Sequence, residues 1–288
     1  MPLLFLASGI SQYLGAALAV GLFTVVSAAG IAWWRIAVSA IVLLAWRQPW
    51  RTRGERWTRR DWLNSAVFGL VLATMNVSFY IAIDHLPLGT AVAIEFLGPV
   101  AVAAITGSGW RDRVAIVLAA GGVVLLSIVE LGSGESGTVV GLVAIGVSGL
   151  TWAGYILLGR RIATKRDGIS SLAVGMTAGA LFYLPLGVTQ FTPVALDAGR
   201  LLAVIGIAVL SSVVPYALEQ VVLRRVSAAR FAILLALLPV TAALVGAVVL
   251  TQVPTPAELA GIALVCVAIV LSADRPPPPD ASALPGTA

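Results

Sequence analysis

Histidine and cysteine occur once each in this chain of 288 residues, as His85 and Cys266. A lone cysteine excludes an intrachain disulfide and any thiolate metal cluster, and a lone histidine removes most of the familiar metal and acid–base chemistry. Charge is scarce as well, at 11% of residues against about a quarter in a soluble domain. Two glycine-rich stretches, GISQYLGAA and GSGESGTVVG, lack the lysine and the strand–helix setting of a phosphate loop, so ATP-driven chemistry within this chain is excluded. No histidine pair or acid cluster marks a protease or hydrolase. The expectation is a protein that is not an enzyme and has no cofactor and no metal.

What remains is apolar: 59% of residues are hydrophobic and the mean hydropathy is +1.01. Ten apolar runs, near 3–25, 29–46, 62–83, 87–106, 113–129, 139–159, 170–190, 201–222, 228–250 and 256–273, have about the length that crosses a bilayer core. The fold class expected is an all-α membrane protein of ten transmembrane helices. The first run starts at once without a basic n-region, so no cleavable signal is expected. The tail from Asp274, DRPPPPDASALPGTA, is too proline-rich and polar to pack and is expected to be a disordered cytoplasmic segment, 274–288.

The net charge of +5 and pI near 10 would suit nucleic acid or anionic lipid, but the position of the charges argues for topology instead. Of the 18 basic residues, all but Arg35 and Arg200 fall in loops after even-numbered spans or at the start of the tail. The opposite loops carry Asp84, Glu130, Glu135, Asp197 and Glu258. The positive-inside rule then places both termini in the cytoplasm. The expected partners are a small-molecule substrate and the lipid bilayer, with no nucleic acid.

The chain also repeats. An offset of 140 residues brings Ser8-Gly9 onto Ser148-Gly149, Pro99 onto Pro239 and Gly121 onto Gly261, and carries inside loops onto outside loops. Five spans are an odd number, so residues 1–135 and 136–273 are expected to be two inverted five-helix repeats. Such repeats are a recurring construction of secondary transporters, with the substrate site between the halves.

Three charges stand within spans: Arg35, Glu95 and Glu219. Each needs a partner or a wet cavity, because a charge at mid-bilayer costs at least about 2.5–3.5 kcal/mol. Arg35 and Glu95 both lie roughly 10–12 Å from the same face at ~1.5 Å rise per residue. They could form a structural ion pair or line a pathway, Glu95 for an ammonium group or a proton and Arg35 for a carboxylate. Spacing alone makes Glu219 a snorkelling residue beside Arg224 and Arg225. Gln12, Tyr13, Asn76, Tyr80, Trp152, Tyr155 and Tyr216 lie at comparable depth and complete the expected substrate-binding set. Trp33 and Trp34 read as an interface belt. Gly121, Gly122 and Gly261 make the fifth and tenth spans candidates for close packing or for a homodimer.

The segments SQYLGAALA (11–19), MNVSFYIAI (75–83), PLGTAVAIEFLGPVAV (87–102), TWAGYILLGRR (151–161), SSVVPYALE (211–219) and LLALLPVTAALVG (234–246) resemble the drug/metabolite transporter superfamily, EamA-type. Within it they are most similar to bacterial inner-membrane threonine/homoserine exporters. The resemblance implies export of neutral amino acids or related metabolites across the inner membrane by alternating access, in exchange for protons. It adds Glu219 to Glu95 as a proton-coupling candidate. Related exporters often carry glutamates where this chain has Leu238 and Gln252, which would leave coupling to Glu95 or Glu219. Two alternatives stay open: efflux of hydrophobic cationic drugs, which Arg35 opposes, and a non-transporting scaffold or receptor, which would seal its interior with an Arg35–Glu95 bond.

Overall fold

The computed structural model describes residues 2–48, 57–106, 109–163, 168–215, 218 and 234–273. They form an all-helical bundle, with no strand among the described residues. The helices are α1 (Pro2–Leu22), α2 (Ala28–Arg47), α3 (Arg59–Ile83), α4 (Leu88–Glu95), α5 (Leu97–Thr106), α6 (Trp110–Gly132), α7 (Thr138–Ala163) and α8 (Gly168–Phe182). The short α9 (Leu184–Thr189) and α10 (Phe191–Ala195) precede α11 (Ala198–Ala208), a π-helical turn (Val209–Val213), α12 (Leu237–Val249) and α13 (Pro256–Ala273).

Among the described residues, six segments are long and apolar enough to cross a membrane: Leu3–Leu22, Ala28–Trp46, Arg59–Ile83, Leu88–Thr106, Trp110–Gly132 and Thr138–Leu158. The other four predicted spans coincide with shorter apolar helices within Ile169–Phe182, Ala198–Val213, Leu237–Val249 and Pro256–Ser272. The outward faces are apolar too: Val117, Val124, Ile128 and Leu131 of α6 and Val139, Val143 and Leu150 of α7 are exposed. A helix facing water would show polar residues there, so this surface fits lipid.

Local sequence explains the helix ends. Ser27 accepts the Gly30 N–H at 3.2 Å to start α2. Thr58 and Asp61 exchange hydrogen bonds in a capping box that starts α3, and Asp197 accepts the Arg200 N–H at 2.9 Å to start α11.

Prolines explain the interruptions. Pro99 has no N–H to give the carbonyl four residues back, that of Glu95, and its ring crowds that turn. The fourth span accordingly breaks at Phe96, between α4 and α5. Pro239 does the same to Leu235, and the chain breaks at Ala236, 140 residues on. Cys266 Sγ donates to the Ala236 carbonyl at 3.4 Å, so the lone cysteine serves this break.

Helices early in the chain pack against helices late in it. α6 packs along α13, α3 against α7 and α8, α2 against α8 and α11, α1 against α12 and the π-turn, and α4 against both α7 and α12. The Gly122–Gly261 contact belongs to the α6–α13 pair: a Cβ on Gly122 would stand 2.8 Å from the Gly261 carbonyl oxygen. These small residues therefore serve packing within the chain. Trp33 corrects another expectation. It is buried rather than part of a belt, donates Nε1–H to the Ala180 carbonyl at 2.7 Å, and lies where Gly187 leaves room for its ring.

Candidate functional site

A polar cavity lies inside the bundle, lined by Gln12, Tyr13, Ala16, Arg35, Met75, Asn76, Phe79, Glu95 and Ser211. The space open to the centre of a water molecule is about 50 Å³. That holds a few waters and is too small for an amino acid, so the site is described in a closed condition.

Glu95 is the last residue of α4, at the break that Pro99 imposes. The Ser148 hydroxyl of α7 lies 2.5 Å from Glu95 Oε1 and also 3.0 Å from the Met75 carbonyl. Glycines make this approach close. A Cβ on Gly98 would overlap the Gly149 carbonyl, and one on Gly149 would stand 3.1 Å from the Glu95 carbonyl oxygen. Ser148 is fully buried, and sequence reasoning placed it only as a repeat match.

Arg35 meets a different break. Pro215 cannot donate to the Ser211 carbonyl, and the preceding turn widens so that Val214 N–H bonds Val209, five residues back. Arg35 Nη2 donates to the Ser211 carbonyl at 2.8 Å, and Nε donates to Ser212 Oγ at 3.2 Å. The guanidinium also lies over the Tyr80 ring, 5.4 Å from its centre. No Arg35–Glu95 ion pair forms among the described residues, although both line the cavity and the arginine's charge is felt at the carboxyl.

The π-turn is tied to α1 by a reciprocal pair of bonds: Ser11 Oγ donates to Leu210 O at 2.9 Å, and Ser211 Oγ donates to Gln12 O at 3.1 Å. Asn76 spends one amide hydrogen on its own helix, at Leu72 O, 2.8 Å away.

Five of the expected binding residues, Gln12, Tyr13, Arg35, Asn76 and Glu95, thus meet at one cavity. Tyr80 sits behind it as the platform under Arg35, with its hydroxyl buried and unbonded. Trp152 and Tyr155 do not line it: Trp152 packs edge-on to Phe96, and Tyr155 stacks on Phe68 at 4.8 Å. Aromatic residues at the right depth have been taken up by helix packing. Tyr216 and Glu219 lie outside the described residues. Met75 and Phe79 were missed because nothing in an apolar residue's identity separates a cavity wall from a core. Glu130 and Glu258, expected in loops, are helical instead and buried, at 6% and 7% exposure.

A carboxyl and a guanidinium that share a small wet space without neutralising each other can receive the two ends of a zwitterion. The family to which such a bundle belongs follows from comparison. The EamA-like transporter family matches residues 139–273, and similarity to transporters extends over nearly the whole chain. The protein belongs to the EamA-type transporters of the drug/metabolite transporter superfamily, multi-pass membrane proteins that move small molecules, and is not read as an enzyme.

Its particular likeness is to amino-acid exporters. It is 34% identical over 275 residues to the threonine/homoserine exporter RhtA of Salmonella typhimurium, covering 95% of this chain and 90% of that protein. The exporter of the same name from Escherichia coli is 34% identical over 255 residues, covering 88% and 84%. An uncharacterized transporter of Archaeoglobus fulgidus is 25% identical over 234 residues. A solved crystal structure shares the fold, with a TM-score of 0.59 at 17% identity over 92% of this chain and 94% of that one.

Proposed function

We propose that this protein exports small neutral amino acids of the threonine/homoserine type by alternating access, in exchange for protons. The observation that carries the reading is the cavity where Glu95 and Arg35 face one space without pairing. Arg35 receives the substrate carboxylate and Glu95 its ammonium group, with Gln12, Tyr13 and Asn76 supplying neutral contacts. The relatives named for threonine and homoserine export support the substrate class.

Proton exchange fits the hydroxyl between two acceptors. Ser148 has one hydrogen to give. With Glu95 ionised, that hydrogen goes to the carboxylate; with Glu95 protonated, the acid donates to Ser148, which gives its own hydrogen to Met75 O. Loading a proton and loading an ammonium group are then alternatives at Glu95, which is what obligatory exchange requires.

Alternating access needs two halves that rock about the site. Support comes from the packing pairs. Exchanging residues 1–135 with 136–273 turns the α3–α7 contact into that of α1 with the α11 segment. It likewise turns α1–α12 into α5–α7, and it leaves α6–α13 and α2–α8 in place. The arginine-rich loops put both termini in the cytoplasm, with the membrane being the cell inner membrane.

The test is reconstitution in proteoliposomes with threonine, homoserine and a wider panel, with and without a pH gradient. Saturable amino-acid flux that a pH gradient drives supports the reading. Flux confined to quaternary ammonium compounds would overturn it in favour of cation efflux.

A further inference from the structure

Glu130 and Glu258 have no part in the site above, and their surroundings are unusual. Glu130 sits two residues before the end of α6, 94% buried by its 6% exposure. Its carboxyl meets the side chains of Thr90 on α4 and Glu258 on α13. Oε1 is closed to solvent and receives no hydrogen bond from either as the groups stand.

Glu258 is fixed in place as an acceptor. Its Oε2 takes the Thr255 N–H at 2.5 Å, and its own N–H bonds Thr255 Oγ at 3.3 Å, the capping box that starts α13. Beside the three side chains lies a second cavity, lined among others by Thr90, Gln252, Pro254 and Glu258, with about 130 Å³ open to water centres.

Two carboxylates cannot be buried in contact with both ionised, because like charges at that distance and depth repel strongly. What the pair lacks is one hydrogen, and Glu130 is the member with an oxygen free to carry it. We infer that Glu130 and Glu258 bind a single proton between the end of α6 and the start of α13, as a titrating site separate from Glu95, and that this proton holds the two helix ends together.

α4 borders this site. Thr90 contacts Glu130, and Gln252 Oε1 accepts the Leu88 N–H at 3.0 Å. Glu95 is on the same short helix, five residues beyond Thr90. Releasing the proton leaves two negative charges beside a cavity into which water can move, and their repulsion acts between the end of α6 and the start of α13. Of the other charged groups near this end, Glu135 in the loop after α6 acts on Glu130 and adds to the repulsion. His85 lies in the loop before α4, against Gly137. α5 and α12 carry no titratable side chain, and the arginines of α7 are at its other end.

The site stands whether or not export is driven by protons, and its test measures no transport. The full chain in lipid nanodiscs is taken from about pH 5 to about pH 9, the span over which buried acids titrate. Infrared difference spectra record the C=O stretch of protonated carboxyls. The expected result is a band that disappears as pH rises, is missing in Glu130→Gln and survives in Glu95→Gln. Thermal unfolding gives a second readout. The wild-type midpoint should fall by several degrees as pH rises and the shared proton is lost. Glu130→Gln, whose amide donates permanently to Glu258, should hold its midpoint. Should Glu130→Gln not fold, Glu258→Gln places a neutral donor beside Glu130 and should also flatten the profile. A band and a pH profile unchanged in these variants overturn the proposal.

Discussion

Two contacts related by the 140-residue offset differ in a way that locates the cavity. Where α3 meets α8, glycine faces glycine: a Cβ on Gly69 would overlap the Gly175 backbone, and the helices touch. Where α11 and the π-turn meet α2, Gly175 is replaced by Arg35, and the opposing backbone has opened into a π-turn that the guanidinium clasps. One contact is shut by the absence of side chains and the other is propped apart by a long charged one. Of these two contacts, the propped one borders the cavity that Arg35 and Ser211 line. At these two contacts, positions matched by the 140-residue offset carry different residues, and the difference falls beside the cavity.

The proline breaks differ in the same manner. Glu95 at the first is matched by Leu235 at the second, and Ser148 by Ser8. Ser148 is bonded to Glu95, whereas Ser8 is fully buried with no partner for its hydroxyl. The second half retains the serine without the acid that would use it.

The comparison can be broken most severely at Glu95. Glu95→Gln keeps the shape and removes the charge, so amino-acid flux in proteoliposomes should fall about 10- to 100-fold, the worth of one charge-assisted contact. Its stimulation by a pH gradient should vanish with it. Undiminished, pH-driven flux in this variant would remove Glu95 from the mechanism.

Arg35→Lys keeps the charge but not the two-point clasp on Ser211 and Ser212. Substrate affinity, read by ligand-induced thermal shift, should drop about 10-fold. Equal affinity would show that a point charge suffices. On the shut side, Gly69→Ala forces backbones apart and should cost about 1–3 kcal/mol in thermal unfolding. If this alanine is tolerated without loss, the contact is not closed as described.

The serines give the finest distinction. Ser148→Ala leaves the buried Glu95 carboxyl without its hydroxyl partner and should cost about 1–3 kcal/mol. Ser8→Ala removes an unsatisfied buried hydroxyl and should be neutral or stabilise by up to about 1 kcal/mol. Equal effects at the two serines would erase the asymmetry.

Much of this was legible in the residues. Apolar run lengths led to ten expected spans, and among the described residues six of them are helices long and apolar enough to cross a membrane, because a bilayer imposes a length that sequence records directly. The intramembrane charges Arg35 and Glu95 were found because a charge in a greasy helix has no cheap explanation. Five residues expected at one depth do line one cavity. The depth argument failed for Trp152 and Tyr155, since depth fixes height along a helix and not the direction in which a side chain points. Glu130 and Glu258 were misplaced for a related reason: at a helix end, sequence does not tell a loop acid from a buried one.

By itself, the order of residues determined the apolar spans, the offset repeat and the positions where prolines must interrupt helices, all consequences of local backbone chemistry and hydropathy. Only the tertiary structure decided that Arg35 clasps the Ser211 carbonyl instead of Glu95, that Ser148 is the acid's partner, and that Glu130 meets Glu258. Those outcomes depend on which helix faces meet, and that is settled by close packing among residues far apart in the chain, such as Gly98 against Gly149.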